Sequence, residues 1–301
     1  MDDGFPMSIE NVAEELDAPG EWFHDVVAQK LYLWWNATAG TPPPSDGSLS
    51  ATQAQVLFNA TGTQDAPVRG LSFLGLGFRD TAQTLLAPHG HPSSGDWSLQ
   101  RTAALFFEGT ENTTVEGCFF ERFDGLGVFF SGYTRGASVS HSEFAWGGET
   151  CIALWGYGRG SPVPGVGPDM TGGDQPRGTY IGYNVFREIG VWQKQSSAVF
   201  QAEAGLSLIE HNLMYNMPRA AVCFNDGALG GSVLQFNVMA NTCRESGDHG
   251  PFSESKFAAT RERARAHAMQ RLTRAARARR LVGSHGLHER SARLQQQHEA
   301  R

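Results

Sequence analysis

The sequence predicts an all-β fold, a right-handed parallel β-helix (solenoid), followed by a helical or disordered C-terminal tail. Three observations lead to this prediction. Gly contributes 36 and Phe 19 of the 301 residues, a composition typical of many short strands joined by glycine turns. A nine-residue segment recurs five times between residues 115 and 242. After residue 255 this pattern gives way to a run rich in Ala, Arg and Gln that has no strand periodicity.

The repeated segments align without gaps. They are "VEGCFFERF" from Val115, "VSHSEFAWG" from Val139, "IGYNVFREI" from Ile181, "IEHNLMYNM" from Ile209 and "LQFNVMANT" from Leu234. The first and sixth positions are apolar, but they have opposite parity in a strand, so a turn between them must absorb one residue. Each unit is therefore predicted to form a strand, a sharp turn and a second strand.

Units of this length cannot bury their own apolar face and must stack, with parallel strands about 4.8 Å apart. Their β-branched and aromatic residues favour strands over helices. The fourth position holds Asn184, Asn212 and Asn237, which we expect to form an internal amide ladder with a structural role. The wider spacing before Ile181 reflects an insertion at residues 161–178 that is rich in Pro and Gly and predicts a surface loop.

Charge is divided unevenly along the chain. Residues 256–301 hold 12 of the 24 Lys+Arg but only 3 of the 31 Asp+Glu, so residues 1–255 hold 12 basic and 28 acidic residues. An acidic body argues against a nucleic-acid partner, because phosphate neutralisation needs a positive surface. No apolar run approaches the roughly 20 residues that a membrane-spanning helix needs. We expect a monomer without a membrane span.

The cysteines and the N-glycosylation sequons give weaker indications of metal binding and of secretion. The four cysteines show no metal-ligand spacing, and we expect no cofactor, no metal, and small buried thiols. They are Cys118, Cys151, Cys223 and Cys243. Sequons for N-glycosylation begin at Asn36, Asn59 and Asn112, as in secreted proteins. The first residues, "MDDGFPMSIENV", contain no signal peptide.

With these segments the chain resembles the right-handed β-helix proteins of the pectin-lyase-like superfamily, in the branch related to glycoside hydrolases. "LDAPGEWFHDVVAQKLYLWW" (16–35) is similar to that branch's opening segment, and "VRGLSFLGLGFRDTA" (68–82) is similar to its first regular coil. Residues 113–252 are similar to its central coils. The resemblance implies one β-helix domain over residues 1–255, incomplete at both ends, and an unrelated tail over residues 256–301.

The resemblance also implies a function. We expect a glycosidase-like, carbohydrate-active protein of the extracellular space or secretory pathway, acting on an extracellular or cell-wall polysaccharide. Because the same scaffold carries other activities, a polysaccharide lyase or epimerase and a non-catalytic glycan-binding or structural β-helix remain alternatives. The tail stands where further coils are expected, so we expect the chain to be inactive as a truncated product; a basic arm for anionic ligands is the alternative interpretation.

Hydrolysis of a glycosidic bond generally uses two carboxylates. Aligning "AVFQAE" (198–203), "AVCFND" (221–226) and "DHGPFSE" (248–254) brings polar side chains to the strand ends of three consecutive coils. Asp248 also occupies a place similar to an Asp-Gly-Gly element of the hydrolase relatives. The predicted catalytic residues are Asp248, His249, Glu245, Asp226 and Glu203. The predicted substrate-binding residues are Asn225, Gln201, Arg244, Trp155 and Tyr157.

Each of these residues also has a structural interpretation. Asp248 and Asp226 lie in sequences that form ordinary turns, where an Asp side chain binds its own backbone. Trp155 and Tyr157 stand beside the insertion, where they could stack on sugar rings or simply pack in the core. His249 could orient Asp248 or donate to a leaving group, and Arg244 could bind a substrate carboxylate.

Overall fold

A computed structural model describes residues 10–35, 49, 51–92, 97–158, 170–226, 229–247 and 249–254. Backbone contacts divide the chain into two units, residues 1–51 and 52–301. The predicted tail, the sequon at Asn36 and most of the predicted loop at 161–178 lie outside the described residues. No helix within the described ranges is long and apolar enough to cross a bilayer.

The first unit contains a short hairpin. A 3-10 helix, Ala13–Glu15, precedes β1 (Trp22–Asp25) and β2 (Lys30–Leu33), which pair antiparallel. The Asp25 carboxylate accepts the backbone N–H groups of Val27 and Ala28 and so fixes the turn between the strands. Within the described residues these strands pair only with each other.

The second unit is built from three sheets in which all strands are parallel. Sheet 1 contains β3 (Phe58–Thr61), β7 (Leu105–Glu111), β10 (Val128–Arg135), β13 (Ile152–Trp155), β17 (Val199–Ala202), β20 (Val222–Asp226) and β23 (Phe252–Glu254), with β4 (Val68–Arg69) and β14 (Pro176–Arg177) attached. Sheet 2 contains β5 (Ser72–Leu74), β8 (Thr114–Glu116), β11 (Ser138–Ser140), β15 (Tyr180–Gly182), β18 (Leu208–Glu210) and β21 (Val233–Gln235). Sheet 3 contains β6 (Gly77–Thr81), β9 (Phe119–Phe123), β12 (Glu143–Ala145), β16 (Val185–Arg187), β19 (Leu213–Tyr215) and β22 (Val238–Ala240).

From β7 onward the chain visits sheets 1, 2 and 3 in turn, and each visit adds one strand beside the strand of the preceding coil. Val139 pairs with Val115 on one side and with Ile181 on the other, so the gapless alignment of the repeats is the register of sheet 2. This is the connectivity expected of a β-solenoid. The repeat contains three strands, not the two that were predicted, because the sheet 1 strands complete each coil.

The predicted turn between the first and second strand of each repeat is confirmed. Successive coils place one residue there in the left-handed backbone region, with φ between 50° and 61°. These residues are Gly117, His141, Tyr183, His211 and Phe236. One residue is thereby absorbed, and the apolar side chains on both sides of the turn can face the same interior.

The interior is filled by columns of like residues. Phe144 stacks on Phe120 at 4.4 Å and on Phe186 at 5.0 Å between ring centroids. Asn184 Nδ2 donates to Asn212 Oδ1 at 3.0 Å, and Asn212 Nδ2 donates to Asn237 Oδ1 at 2.9 Å. The predicted amide ladder is therefore present and buried. Three of the four cysteines, Cys118, Cys151 and Cys223, are buried.

We expect Asn212→Leu to destabilise the solenoid by about 2–3 kcal/mol, because it leaves buried N–H groups of Asn184 without an acceptor. Leu has a similar volume, so the loss reports hydrogen bonding and not a cavity. Urea unfolding followed by circular dichroism measures the change. Asn241→Leu is the control, since Asn241 makes a similar side-chain bond to Asn216 on the exposed surface. Equal losses in the two variants would contradict a buried structural ladder.

Candidate functional site

The outer face of sheet 1 carries a register row that runs across six coils. Along β10, Val128 and Phe130 belong to the interior core, whereas Phe129 packs with a second, outer cluster. Side chains alternate along a strand, so Ser131 shares the outer face with Phe129. The residues in register with Ser131 are Thr61, Glu108, Trp155, Ala202 and Asp226. This row lies near the carboxyl ends of the strands.

Residues 97–103, which we call the strap, cover the middle of this outer face. Trp97, Leu99 and Ala103 are buried in the outer cluster, and the Trp97 ring lies 5.4 Å from that of Phe200. The strap comes from outside the repeats, between β6 and β7. Consequently the outer face is closed at mid-strand, while Tyr157, just beyond the end of β13, remains 42% exposed.

Arg101 of the strap is inserted into the row. Its guanidinium lies 3.9 Å from the Trp155 ring and 4.0 Å from the Tyr157 ring. It donates to Ser131 Oγ at 2.8 Å and to the carbonyls of Trp155 and Gly156 at 3.0 and 2.6 Å. Burial lowers the pKa of Arg101, although nearby Tyr157 and two glutamates oppose this effect. Arginine remains charged, so Arg101 supplies a fixed cation at the strand ends.

Glu108, the fourth residue of β7, is the first of these two glutamates. Its Oε2 accepts hydrogen bonds from Ser131 Oγ at 2.5 Å and from Tyr157 Oη at 3.0 Å. Gly132 follows Ser131, and a Cβ there would lie 2.9 Å from the Tyr157 ring. The phenol can therefore approach Glu108 because residue 132 has no side chain.

Glu203, immediately after β17, is the second glutamate. Its side chain is 8% exposed, and its Oε2 accepts the backbone N–H of Gly158 at 3.0 Å. Glu203 has a left-handed backbone (φ 47°), as do Gly109 and Gly132, which follow the row in two earlier coils. A side chain in this conformation is unfavourable, and such strain concentrates at functional sites.

The two carboxylates are thus bound to consecutive residues, Tyr157 and Gly158, and both contribute to the electrostatic surroundings of Arg101. Two carboxylates beside a partly exposed tyrosine provide the groups needed for acid-base or nucleophilic chemistry on a sugar. We call Glu108, Arg101, Tyr157 and Glu203 the carboxylate cluster.

Three of the predicted substrate-binding residues are buried in the structure. Trp155 is 6% exposed and has Arg101 over its ring, so it packs beneath the strap. Gln201 is 2% exposed, and Ser207 Oγ donates to its Oε1 at 2.8 Å. Gln201 lies two residues after Val199 on β17, so its side chain faces the interior as that of Val199 does. This position does not fit the predicted contact with a substrate. Asn225 is buried at a register shift between β17 and β20.

The other predicted residues divide between the two ends of sheet 1. The backbone of Asp226 pairs with Ala202 in the row, whereas Asp248 lies outside the described residues. Phe252 pairs with Val222, so His249 precedes its strand, while Glu203 follows its own strand. A four-residue strand spans about 13 Å. The expected meeting of His249 with Glu203 at one strand end is therefore wrong.

Before the strand, the predicted residues bind side chains of neighbouring corners. Glu245 forms an ion pair with Lys194 at 3.1 Å, and Arg244 lies 3.5 Å from Glu188. His249 Nε2 lies 2.8 Å from an Nη atom of Arg219. The first two contacts join coils that are two turns apart, and the third joins consecutive coils. They give Glu245, Arg244 and His249 a structural role whether or not they meet a ligand.

Sequence reasoning missed Glu108, Ser131 and Arg101. Arg101 could not have been found, since the strap has no counterpart in the repeats. A signal for Glu203 was present in the alignment, because "GVFFSG" and "CIALWG" end in Gly where "AVFQAE" ends in Glu. Charged residues that replace a glycine in two successive coils, as Glu203 and Asp226 do, indicate a local requirement.

Comparisons with known proteins agree with the architecture. No protein-family model and no curated protein sequence matches the chain. A solved structure described as "Glycoside hydrolase" is similar, with a TM-score of 0.57 and 18% sequence identity. The match covers 81% of this chain and 46% of that structure, so this chain spans about half the length of its match. At this identity the likeness shows a shared fold.

Proposed function

We propose that this chain is a carbohydrate-active β-helix of the right-handed, pectin-lyase-like kind, and that the carboxylate cluster acts on a glycosidic bond of a polysaccharide. The observation that carries the proposal is the placement of Glu108, on β7, and Glu203, just after β17, beside the consecutive residues Tyr157 and Gly158, although β10 and β13 lie between their two strands. Hydrolysis by a pair of carboxylates is the reaction that such a group supports best. The fold shared with a structure described as a glycoside hydrolase supports the same class.

The site residues that the sequence predicts have different roles in this proposal, depending on where they lie on sheet 1. Glu203 and Tyr157 belong to the cluster, and Asp226 adjoins it through its pairing with Ala202. Glu245, Arg244 and His249 form a second candidate group at the opposite end of sheet 1, and Asp248 stays a predicted catalytic residue outside the described residues. The exposed sequon residues Asn59 and Asn112 are compatible with passage through a secretory pathway.

The whole carboxylate cluster lies in the described coils, so the proposal, unlike the expectation drawn from the tail, is that the chain is active. The proposal is tested on the intact 301-residue chain with a panel of neutral and acidic cell-wall polysaccharides. Affinity electrophoresis measures binding, and release of new reducing ends measures hydrolysis. Glu203→Gln should abolish hydrolysis while binding persists, whereas Glu116→Gln, an exposed substitution in sheet 2, should behave like the parent. Unsaturated uronide products, seen by ultraviolet absorbance, would instead identify a lyase. Absence of both binding and turnover across the panel would contradict the proposal.

A further inference from the structure

Glu149 is a buried carboxyl group that the carboxylate cluster does not use. It lies in the corner between β12 and β13 and has no exposed surface. Its Oε1 accepts hydrogen bonds from Gln100 Nε2 at 2.9 Å and from Thr84 Oγ1 at 3.1 Å. Gln100 Nε2 also donates to the Thr84 carbonyl at 2.7 Å. The strap is thereby attached to this corner through Gln100.

Two oxygen atoms of the Glu149 and Gln100 side chains make no hydrogen bond. Glu149 Oε2 and Gln100 Oε1 are both buried and lack a hydrogen-bond partner. The first is the second oxygen of the carboxyl group and the other is the carbonyl oxygen of the amide, and one hydrogen bond already joins these two groups. A carboxylic acid and a primary amide commonly pair through two such bonds, one N–H to the acid carbonyl and one O–H to the amide carbonyl. A single proton on Glu149 Oε2 would satisfy both oxygens.

We propose that Glu149 is held as the neutral acid, that its O–H donates to Gln100 Oε1 in a cyclic acid–amide pair, and that loss of this proton releases the strap and displaces Arg101. The displacement follows from the chain, because Gln100 and Arg101 are consecutive residues. Gln100 attaches the strap to the Glu149 corner, and Arg101 attaches it to Ser131 and to the Trp155 carbonyl. Glu149 is thus a positioning residue for the carboxylate cluster, and this inference does not require that the cluster act on a glycan.

Within the described residues, no charged side chain acts as a countercharge for the ionised form of Glu149. The charged and titratable side chains on the segments that hydrogen-bond to Thr84, to Gln100 or to the corner at 147–151 are His89, His91, Arg101, Asp124, Cys151, Glu188 and Lys194. Arg101 is bound to the carboxylate cluster, Lys194 pairs with Glu245, and Asp124 accepts the Trp192 indole N–H. Burial raises the pKa of Glu149 to about 7, opposed only by the hydrogen bonds of Gln100 and Thr84. No charged neighbour contributes to this shift.

The pH dependence has a defined sign. The folded protein binds the proton of Glu149 more tightly than the unfolded chain does, since the pKa rises from an ordinary 4.5 to about 7. The attachment of the strap is therefore complete below pH 4.5, weakens as the pH rises towards 7, and changes little above that value. Within this window the opening equilibrium of the strap should increase roughly tenfold per pH unit.

Hydrogen exchange of peptides covering residues 97–104 and 155–158 tests the inference, after correction for intrinsic exchange rates between pH 5 and 8. Protection in the parent chain should fall over this range in both peptides. Glu149→Gln keeps two hydrogen bonds to Gln100 but has no proton to lose, so its protection should be high and independent of pH. Glu116→Gln, exposed in sheet 2, should follow the parent. Melting temperature against pH provides a second readout for the same variants.

Two results would overturn the proposal. The first is a pH dependence of strap protection that is the same in the parent and in Glu149→Gln, or that is absent from the parent. The second is full recovery of protection at pH 8 on adding Ca²⁺ or K⁺ to the parent but not to Glu149→Gln. In that case a bound cation, and not a proton, would join Glu149 Oε2 to Gln100 Oε1.

Discussion

Glu203→Gln is expected to lower turnover of the susceptible polysaccharide by a factor of about 10² to 10⁴, the range that one acid-base group contributes. The substitution preserves the size of the side chain and its acceptor for the Gly158 N–H, so the melting temperature should change little. Glu108→Gln should also lower turnover, because Glu108 is bound to Tyr157 beside the same site. Initial rates of reducing-end release measure both effects.

The control distinguishes the two ends of sheet 1. Glu245 carries the same carboxylate but pairs with Lys194 before the strands begin. We expect Glu245→Gln to retain nearly full turnover and to lose at most about 1 kcal/mol of stability, as is usual for an exposed ion pair. If Glu245→Gln eliminates turnover and Glu203→Gln does not, the reactive site lies at the other end of the sheet 1 strands, near His249.

Phe144→Ala is expected to destabilise the solenoid by about 3–5 kcal/mol. The Phe144 ring is fully buried between Phe120 and Phe186, and a Cβ at Gly127 would lie only 3.3 Å from it. Truncation removes both stacking contacts and leaves a cavity in a core that cannot collapse easily, because the sheets on either side fix the coil spacing. For a unit of this size the melting temperature should fall by roughly 6–20 °C.

Phe236→Ala is the matched control for this change. Phe236 stacks on His211 at 5.1 Å, but it is 62% exposed at the outer turn. Its removal should cost no more than about 1 kcal/mol, since little apolar surface leaves the interior. Thermal melting followed by circular dichroism compares the two variants. A larger loss for Phe236→Ala than for Phe144→Ala would mean that the outer stack, and not the interior column, stabilises the coils.

The sequence by itself determined the parts of this protein that recur. In a solenoid each residue of a column meets the equivalent residue of the next coil, so one alignment predicts many contacts at once. The Asn184, Asn212 and Asn237 ladder and the Phe120 and Phe144 stack were predictable for this reason. The left-handed turn between sheets 2 and 3 followed from the parity of the apolar positions.

Only the tertiary structure decided the surroundings of the candidate site. The strap comes from a segment without repeats, so no column predicts that Arg101 meets Tyr157 or that Gln100 meets Glu149. The register of β23 was also misjudged, because corners of different length separate sheets 3 and 1 in different coils. Contacts that join non-repeating segments depend on where those segments cross the sheets, and a one-dimensional pattern contains no information on that crossing.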